Sequence, residues 1–191
     1  MIQRRTVGIV GTGHVGTAAA YALFNQALVP KLLLLDADHE RAEGEAMDLM
    51  HGQMLVGRVT CEAVDYAGMS DAQVIVIAAG AGQSDASETR LDLLKRNASI
   101  FQQIISELDR HAPEAILVIA TNPVDVLTYI SQELSDRPNK RIIGTGTLLD
   151  TARFRALLGQ HYNVDPRSVH AYILGEHGDS EVPIWSNATI G

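Results

Sequence analysis

The stretch Thr6-Val-Gly-Ile-Val-Gly11-Thr-Gly13-His-Val15-Gly16 decides the fold. Thr6–Val10 is a short apolar run, rich in β-branched residues, that predicts a buried strand. His14–Ala27 follows as an alanine-rich helix. The three glycines between and inside them have separate tasks: Gly11 permits a tight turn, Gly13 lets a pyrophosphate approach the backbone, and Gly16, with Ala18 and Ala19, lets the helix pack closely on a sheet. The helix N-terminus offers free N–H groups and a positive dipole end to phosphates. Asp36 ends the next apolar run, 20 residues after Gly16. A carboxylate there accepts hydrogen bonds from a ribose diol and repels a 2′-phosphate, which favours NAD over NADP. The bland alternatives are a turn with a helix cap and no nucleotide, and a strand-end carboxylate that serves solubility.

Outward from that unit, strands and helices alternate. Lys31–Leu35 is a second strand, continuously apolar as in strands buried on both faces. Asp38 caps a helix running to about Met50, with Glu40 in its first turn. Arg58–Val64, Gln73–Ala79, Ala115–Ala120 and Arg141–Gly144 are further strands, and Val124–Leu134 is helical. The longest helix runs from about Glu88 to His111, with Leu91, Leu94, Ala98, Phe101, Ile105 and Leu108 at spacings of three and four. Ile100 and Ile104 widen its apolar stripe, either within its own domain or toward another subunit. Alternating strands and helices predict an α/β fold, a doubly wound parallel sheet. The 47 residues after Gly144 are few for a domain of their own.

The 191 residues are 46% hydrophobic and 20% charged, which excludes a disordered or collagen-like chain. The net charge of −8 divides evenly, −4 over residues 1–96 and −4 over residues 97–191. No basic face exists to neutralise phosphates along a nucleic acid. Cys61 is the single cysteine, so no intramolecular disulfide forms, and a small buried hydrophobe is the expected role. Arg4 and Arg5 precede an apolar stretch, but Gly11, Gly13, His14 and Gly16 interrupt it. No apolar run approaches the roughly 18 residues of a membrane helix. A cytoplasmic protein without membrane or nucleic-acid partners is expected.

Three later segments concentrate polar groups. Gly80–Arg90 follows a strand, where open α/β sheets bind ligands, and its small residues suggest a lid over the site. Asp150 and Arg153, three apart near the start of a helix, share a face and suit an ion pair. Gly175-Glu-His177-Gly-Asp179 sets a histidine between glycines in a loop, where chemistry is often carried. No His-x-x-x-His spacing or cysteine cluster points to a metal, and no Gly-x-Ser-x-Gly elbow points to a hydrolase.

Several motifs stand in one order: the glycine loop, Ala46-Met-Asp-Leu-Met-His-Gly52, Glu88-Thr-Arg-Leu-Asp-Leu93 with Arg96-Asn97, Thr121-Asn-Pro-Val-Asp125, Asp150-Thr-Ala-Arg-Phe-Arg155 and Leu174-Gly-Glu-His-Gly-Asp-Ser180. Together they resemble the L-lactate/malate dehydrogenase family, on the lactate side, over essentially the whole chain. The resemblance implies an NAD-binding Rossmann fold over residues 1–144, followed over residues 145–191 by the start of an α+β substrate domain. It implies hydride transfer between NADH and pyruvate or L-lactate. His177 matches the acid/base histidine, and Asp150 matches the carboxylate that orients it and favours its protonated form. Arg153 matches the arginine that holds the substrate carboxylate. Arg90 matches a lid arginine that polarises the carbonyl. Asn122 matches an asparagine near substrate and nicotinamide, before a cis peptide that Asn-Pro permits. Gly11, Gly13, Val15, Gly16 and Asp36 match the remaining cofactor positions. Arg155 and His170 match positions that bind fructose 1,6-bisphosphate at a subunit interface in many bacterial relatives. A homo-oligomer, tetramer or dimer, is implied.

Two departures from the family pattern stand out. The lid carries one extra residue: Gln83 precedes Arg90 by seven positions rather than six, and Ser87 stands where glycine is expected. Gln83 faces the substrate if the insertion follows it, and Ser84 does if the count runs back from Arg90. Either is neutral, whereas malate-specific relatives have an arginine for a second carboxylate. The chain also stops early in the second domain, which would expose Ile173, Leu174 and Trp185. Alternatives to lactate oxidation and reduction are therefore malate or another 2-hydroxy acid, and an NAD-binding module that is catalytically silent.

Overall fold

The computed structural model describes residues 5–82 and 90–191, without the side chains of Arg90 and Leu91. Six parallel strands form the central sheet: β1 (Thr6–Val10), β2 (Lys31–Leu35), β3 (Thr60–Ala63), β4 (Val74–Ile77), β5 (Ile116–Ile119) and β6 (Ile142–Gly144). Their spatial order is β3-β2-β1-β4-β5-β6. The chain thus winds outward from β1 in one direction and then, from β4, in the other. Every neighbouring pair is parallel, with Ile9 opposite Leu34 on one side and Val76 on the other. This is the doubly wound α/β sheet expected from the alternating pattern.

The helices cover both faces because the central strands carry apolar side chains on both of their faces. On β2, Leu33 and Leu35 join a core with Phe101, Ile105 and Leu108. Leu32 and Leu34 join a second core with Ala20, Phe24 and Ala42 on the opposite face. Successive strand side chains point to opposite faces, so one run feeds both cores. Helix α1 (His14–Asn25) and helix α2 (His39–His51) cover the second core. A short helix, α3 (Gln53–Val56), follows α2 directly. Helix α4 (Arg90–His111) and helix α5 (Val124–Leu134) cover the first. Ile104 is buried and Ile100 packs against the same core, so both belong to the helix's own sheet face.

Element ends differ slightly from the sequence reading. Ala27, with φ 48°, turns the chain away after α1. Gly57, with φ 134°, keeps Arg58 outside β3. Asp38 caps α2 as expected, its carboxylate accepting from the Arg41 N–H at 3.2 Å. Cys61 is buried, and burial with the nearby Glu62 charge pushes its thiol up to about 12.

After β6 the chain forms α6 (Leu148–Tyr162) and two small antiparallel pairs. β7 (Val169–His170) pairs with β10 (Thr189–Ile190), and β8 (Ile173–Leu174) with β9 (Val182–Pro183). Leu174 and Trp185 are more than half exposed, while Ile173 is half-buried at its pairing with Pro183. Trp185 meets Phe154 of α6 edge to face at 4.9 Å. Among the described residues, no helix is long and apolar enough to cross a membrane.

Phe101 joins α4 to the sheet with no exposed surface. Phe101→Ala is expected to cost about 3–5 kcal/mol of unfolding free energy by urea denaturation. Met47→Ala, at a residue 56% exposed, should stay within about 0.5 kcal/mol.

Candidate active site

The chain leaves β1 and β4, adjacent strands, toward opposite faces, which opens a crevice at their carboxyl ends. A cleft of about 460 Å³ lies there, lined among others by Gly11, Gly13, Asp36, Arg41, Tyr66 and Ala79. Gly11 has φ +96°, and a Cβ on it would sit 2.4 Å from the Ala79 nitrogen. A Cβ on Gly16 would lie 1.8 Å from the Gly11 carbonyl oxygen. A Cβ on Gly13 would meet nothing within 4 Å. The first two glycines thus close the loop onto the sheet, and the third leaves room above it. Gly13 is also the N-cap of α1 and no side chain caps the helix, so its first N–H groups are open to an anion. The residues present therefore fit a dinucleotide pyrophosphate.

Asp36 lies beside this loop at the end of β2. Its Oδ2 accepts from the Thr12 N–H at 2.6 Å and the Thr12 hydroxyl at 3.0 Å, and its Oδ1 accepts from the Asp38 N–H at 3.0 Å. Burial works to raise this carboxyl, but the N–H of Asp38, both Thr12 donors and the Arg41 charge outweigh it and hold the carboxyl below its ordinary range. The charge is thus fixed in place at the cleft wall. Val15 is 59% exposed on α1 and is not among the lining residues of the cleft. Gly16 is buried behind the loop.

Beyond the cleft, the ends of β4 and β5 are laced together. Buried Asn97 of α4 accepts from the Ala81 N–H at 2.8 Å and donates to the Asn122 carbonyl at 3.4 Å. The Thr121 hydroxyl donates to the Ala79 carbonyl at 2.7 Å. These bonds hold Asn122, whose side chain is exposed, before the cis Asn122–Pro123 peptide. Gln83 and Ser84 lie outside the described residues. Arg90 begins α4.

The histidine loop is held from two sides. Thr147, the N-cap residue of α6, and Thr151 within it both donate to the Ile173 carbonyl, and Thr151 accepts from the Ile173 N–H at 3.0 Å. The Asp125 carboxylate at the start of α5 accepts from the His177 N–H at 2.8 Å. His177 Nδ1 then lies 2.5 Å from Asp150 Oδ2. Asp150 is nearly buried, with an 8% exposed side chain, whereas Arg153 is mostly in solvent. Arg153 Nη1 donates to Asp150 Oδ1 at 3.3 Å, the ion pair that their spacing suits. Burial pushes the Asp150 carboxyl up. Its bond to His177, the charges of His177 and Arg153, and its contact with Glu181 together prevail and hold it below the ordinary carboxylate range.

Sequence reasoning missed several of these supports. Asp125, Asn97 and Thr151 stood inside quoted motifs without a role, and Glu181 carried no signal. Asp150, His177 and Glu181 bring possible metal-ligand atoms within 4.8 Å of one another, a grouping that no sequence spacing announces. His177 Nδ1 is engaged by Asp150 there. Arg155 lies half-buried on α6 and His170 is exposed on β7, both away from the glycine loop in sequence.

A glycine loop at the switch point of a doubly wound sheet, followed by a carboxylate–histidine pair, is the arrangement of a Rossmann-like α/β fold that continues into a second domain. Residues 5–144 match the lactate/malate dehydrogenase NAD binding domain, and residues 147–191 match the lactate/malate dehydrogenase alpha/beta C-terminal domain. The chain belongs to the lactate/malate dehydrogenase family. Over all 191 residues it is 78% identical to the L-lactate dehydrogenase of Salinibacter ruber, spanning 60% of that protein. It is 49% identical over 185 residues to the L-lactate dehydrogenase of Thermus aquaticus, covering 97% of this chain and 59% of that one. The crystal structure of the minor L-lactate dehydrogenase of Enterococcus mundtii superposes with a TM-score of 0.96 at 48% identity, over 99% of this chain and 60% of that one. The chain thus spans about 60% of the length of the relatives it matches.

Because Asp150 titrates below its unfolded value, its stabilisation is complete above about pH 4 and is lost as pH falls through the lowered value. Asp150→Asn should therefore cost roughly 1.5–3 kcal/mol of stability at neutral pH, the range for a hydrogen bond to a charged group. The gap between variant and parent should shrink progressively below pH 4, read by urea denaturation at each pH. A gap independent of pH would remove the charged pair as its source.

Proposed function

We propose that this chain carries the cofactor-binding and acid/base residues of an NAD-dependent L-lactate dehydrogenase, interconverting pyruvate and L-lactate. The observation that carries the reading is the bond between His177 and Asp150, 2.5 Å long and set beyond a dinucleotide cleft. Residues 1–144 serve as the cofactor domain and residues 145–191 as the first part of the substrate domain.

NADH, when bound, supplies the hydride. The chain's own side chains do the rest. His177 donates its Nδ1 hydrogen to Asp150, so Nε2 is the atom that holds the proton for the keto oxygen. The Asp150 charge compensates the imidazolium before transfer and fixes the ring orientation. Arg153 spends one guanidinium nitrogen on Asp150 and keeps the others for the substrate carboxylate. Arg90 polarises the carbonyl from the lid, and Asn122 sits between substrate and nicotinamide. Gly11, Gly13 and Val15 hold the dinucleotide near Gly16, and Asp36 receives its ribose diol. Gln83 or Ser84 leaves a second carboxylate uncompensated, which favours pyruvate over oxaloacetate. Arg155 and His170 suit a phosphate group and are the proposed receptors for fructose 1,6-bisphosphate. A cytoplasmic homo-oligomer is the proposed working form.

A second reading is an NAD-binding module without turnover. NADH titration and pyruvate reduction on the same sample separate the two. Binding with turnover supports the dehydrogenase, binding alone supports the module, and absence of NADH binding overturns both.

Where turnover is present, His177→Ala should lower it roughly 10²–10⁴-fold, the usual share of a general acid. NADH binding should persist, because the glycine loop and Asp36 are untouched. Gln83→Arg should move preference from pyruvate toward oxaloacetate in a steady-state comparison. A response to Ser84→Arg instead would place the lid insertion before the substrate-facing residue.

A further inference from the structure

Arg41 is the only lysine or arginine among the described residues lining the dinucleotide cleft. It stands in the first turn of α2, where its N–H is held by the Asp38 cap. Its guanidinium is close enough to interact with the Asp36 carboxylate, yet forms no ion pair among the described residues. The same side chain also walls an adjoining groove that carries His14, Glu45 and Asp48.

The two charges differ in freedom. Asp36 is pinned by three hydrogen bonds, from Thr12 and Asp38. Arg41 is exposed and anchored only through its backbone. A ribose diol arriving at Asp36 meets a fixed acceptor, whereas a 2′-phosphate meets a fixed negative charge with a movable, forked cation beside it. Guanidinium pairs well with phosphate, and it does so through two parallel bonds when free to align.

We propose that Arg41 is a partly masked recognition element for a 2′-phosphate: it attracts the phosphate even beside Asp36, whose charge outweighs it and sets the net preference against phosphorylated adenosine ribose, and without that charge Arg41 holds the phosphate. This rests on the dinucleotide reading of the cleft and adds a second specificity determinant to it. Glu45 and Asp48 line the adjoining groove with the same side chain.

The test measures binding of 2′,5′-ADP against 5′-AMP, and of NADPH against NADH, by calorimetry and cofactor fluorescence on the full chain. Asp36→Ser and Asp36→Asn should each raise the 2′,5′-ADP preference roughly tenfold, about one charge-assisted contact. Adding Arg41→Met should abolish that gain while keeping an apolar stem, and adding Arg41→Lys should keep part of it. In the parent background Arg41→Met should still weaken 2′,5′-ADP relative to 5′-AMP by roughly threefold. That arm stands even if both Asp36 variants fail to fold in a thermal melt. Retention of the gain in the double variant, or no change in the parent background, overturns the proposal. Absence of NADH binding to the parent chain instead overturns the dinucleotide reading and this proposal with it.

Discussion

Helix α1 reaches the sheet only because residue 16 has no side chain. A Cβ there would lie 1.8 Å from the Gly11 carbonyl oxygen, a distance no rotamer choice relieves, since both atoms belong to the backbone frame. That contact sets where α1 begins and how deeply it lies on β1. It also aims the helix N-terminus at the crevice between β1 and β4. Gly11 and Gly13 thereby line the cleft together with Asp36.

A second constraint governs the histidine loop. His177 stands on a loop that regular secondary structure does not hold, so its position is fixed by hydrogen bonds from elsewhere. Asp125 holds its backbone and Asp150 holds its ring, each from the first turn of a different helix. Thr151 ties the preceding strand to α6. The imidazole thereby keeps one nitrogen engaged and one available, the arrangement a proton donor requires. Ion pairs of this kind cost desolvation, and the low-lying Asp150 carboxyl shows that its partners more than offset the burial.

Electrostatics divides the labour between the two regions. The cleft at the glycine loop places a fixed negative charge, Asp36, near the uncapped, positive N-terminus of α1, two groups of opposite sign. The histidine region gathers Asp150, Glu181 and Arg153 around one imidazole. Such groups interact strongly because Asp150 is almost buried, and weakly where Arg153 reaches solvent.

The sheet, its helices and the glycine loop were legible in the sequence because they rest on local rules. Continuous apolar runs such as Leu32–Leu35 feed both faces of a parallel sheet, and Gly11, Gly13 and Gly16 stand within one turn of each other. The family motifs singled out His177, Asp150 and Arg153 as well. Sequence alone could not show that Asp125 grips the His177 backbone across 52 positions, or that Glu181 closes on Asp150. Nor could it show that Asn97 binds two strand ends together. It left Ile100 and Ile104 divided between two possible partners, and the packing of α4 on its own sheet resolved them. Periodicity and spacing report a residue's neighbours along the chain. Contacts between distant segments depend on the angle at which helices cross the sheet, and that angle is fixed only when the whole core packs.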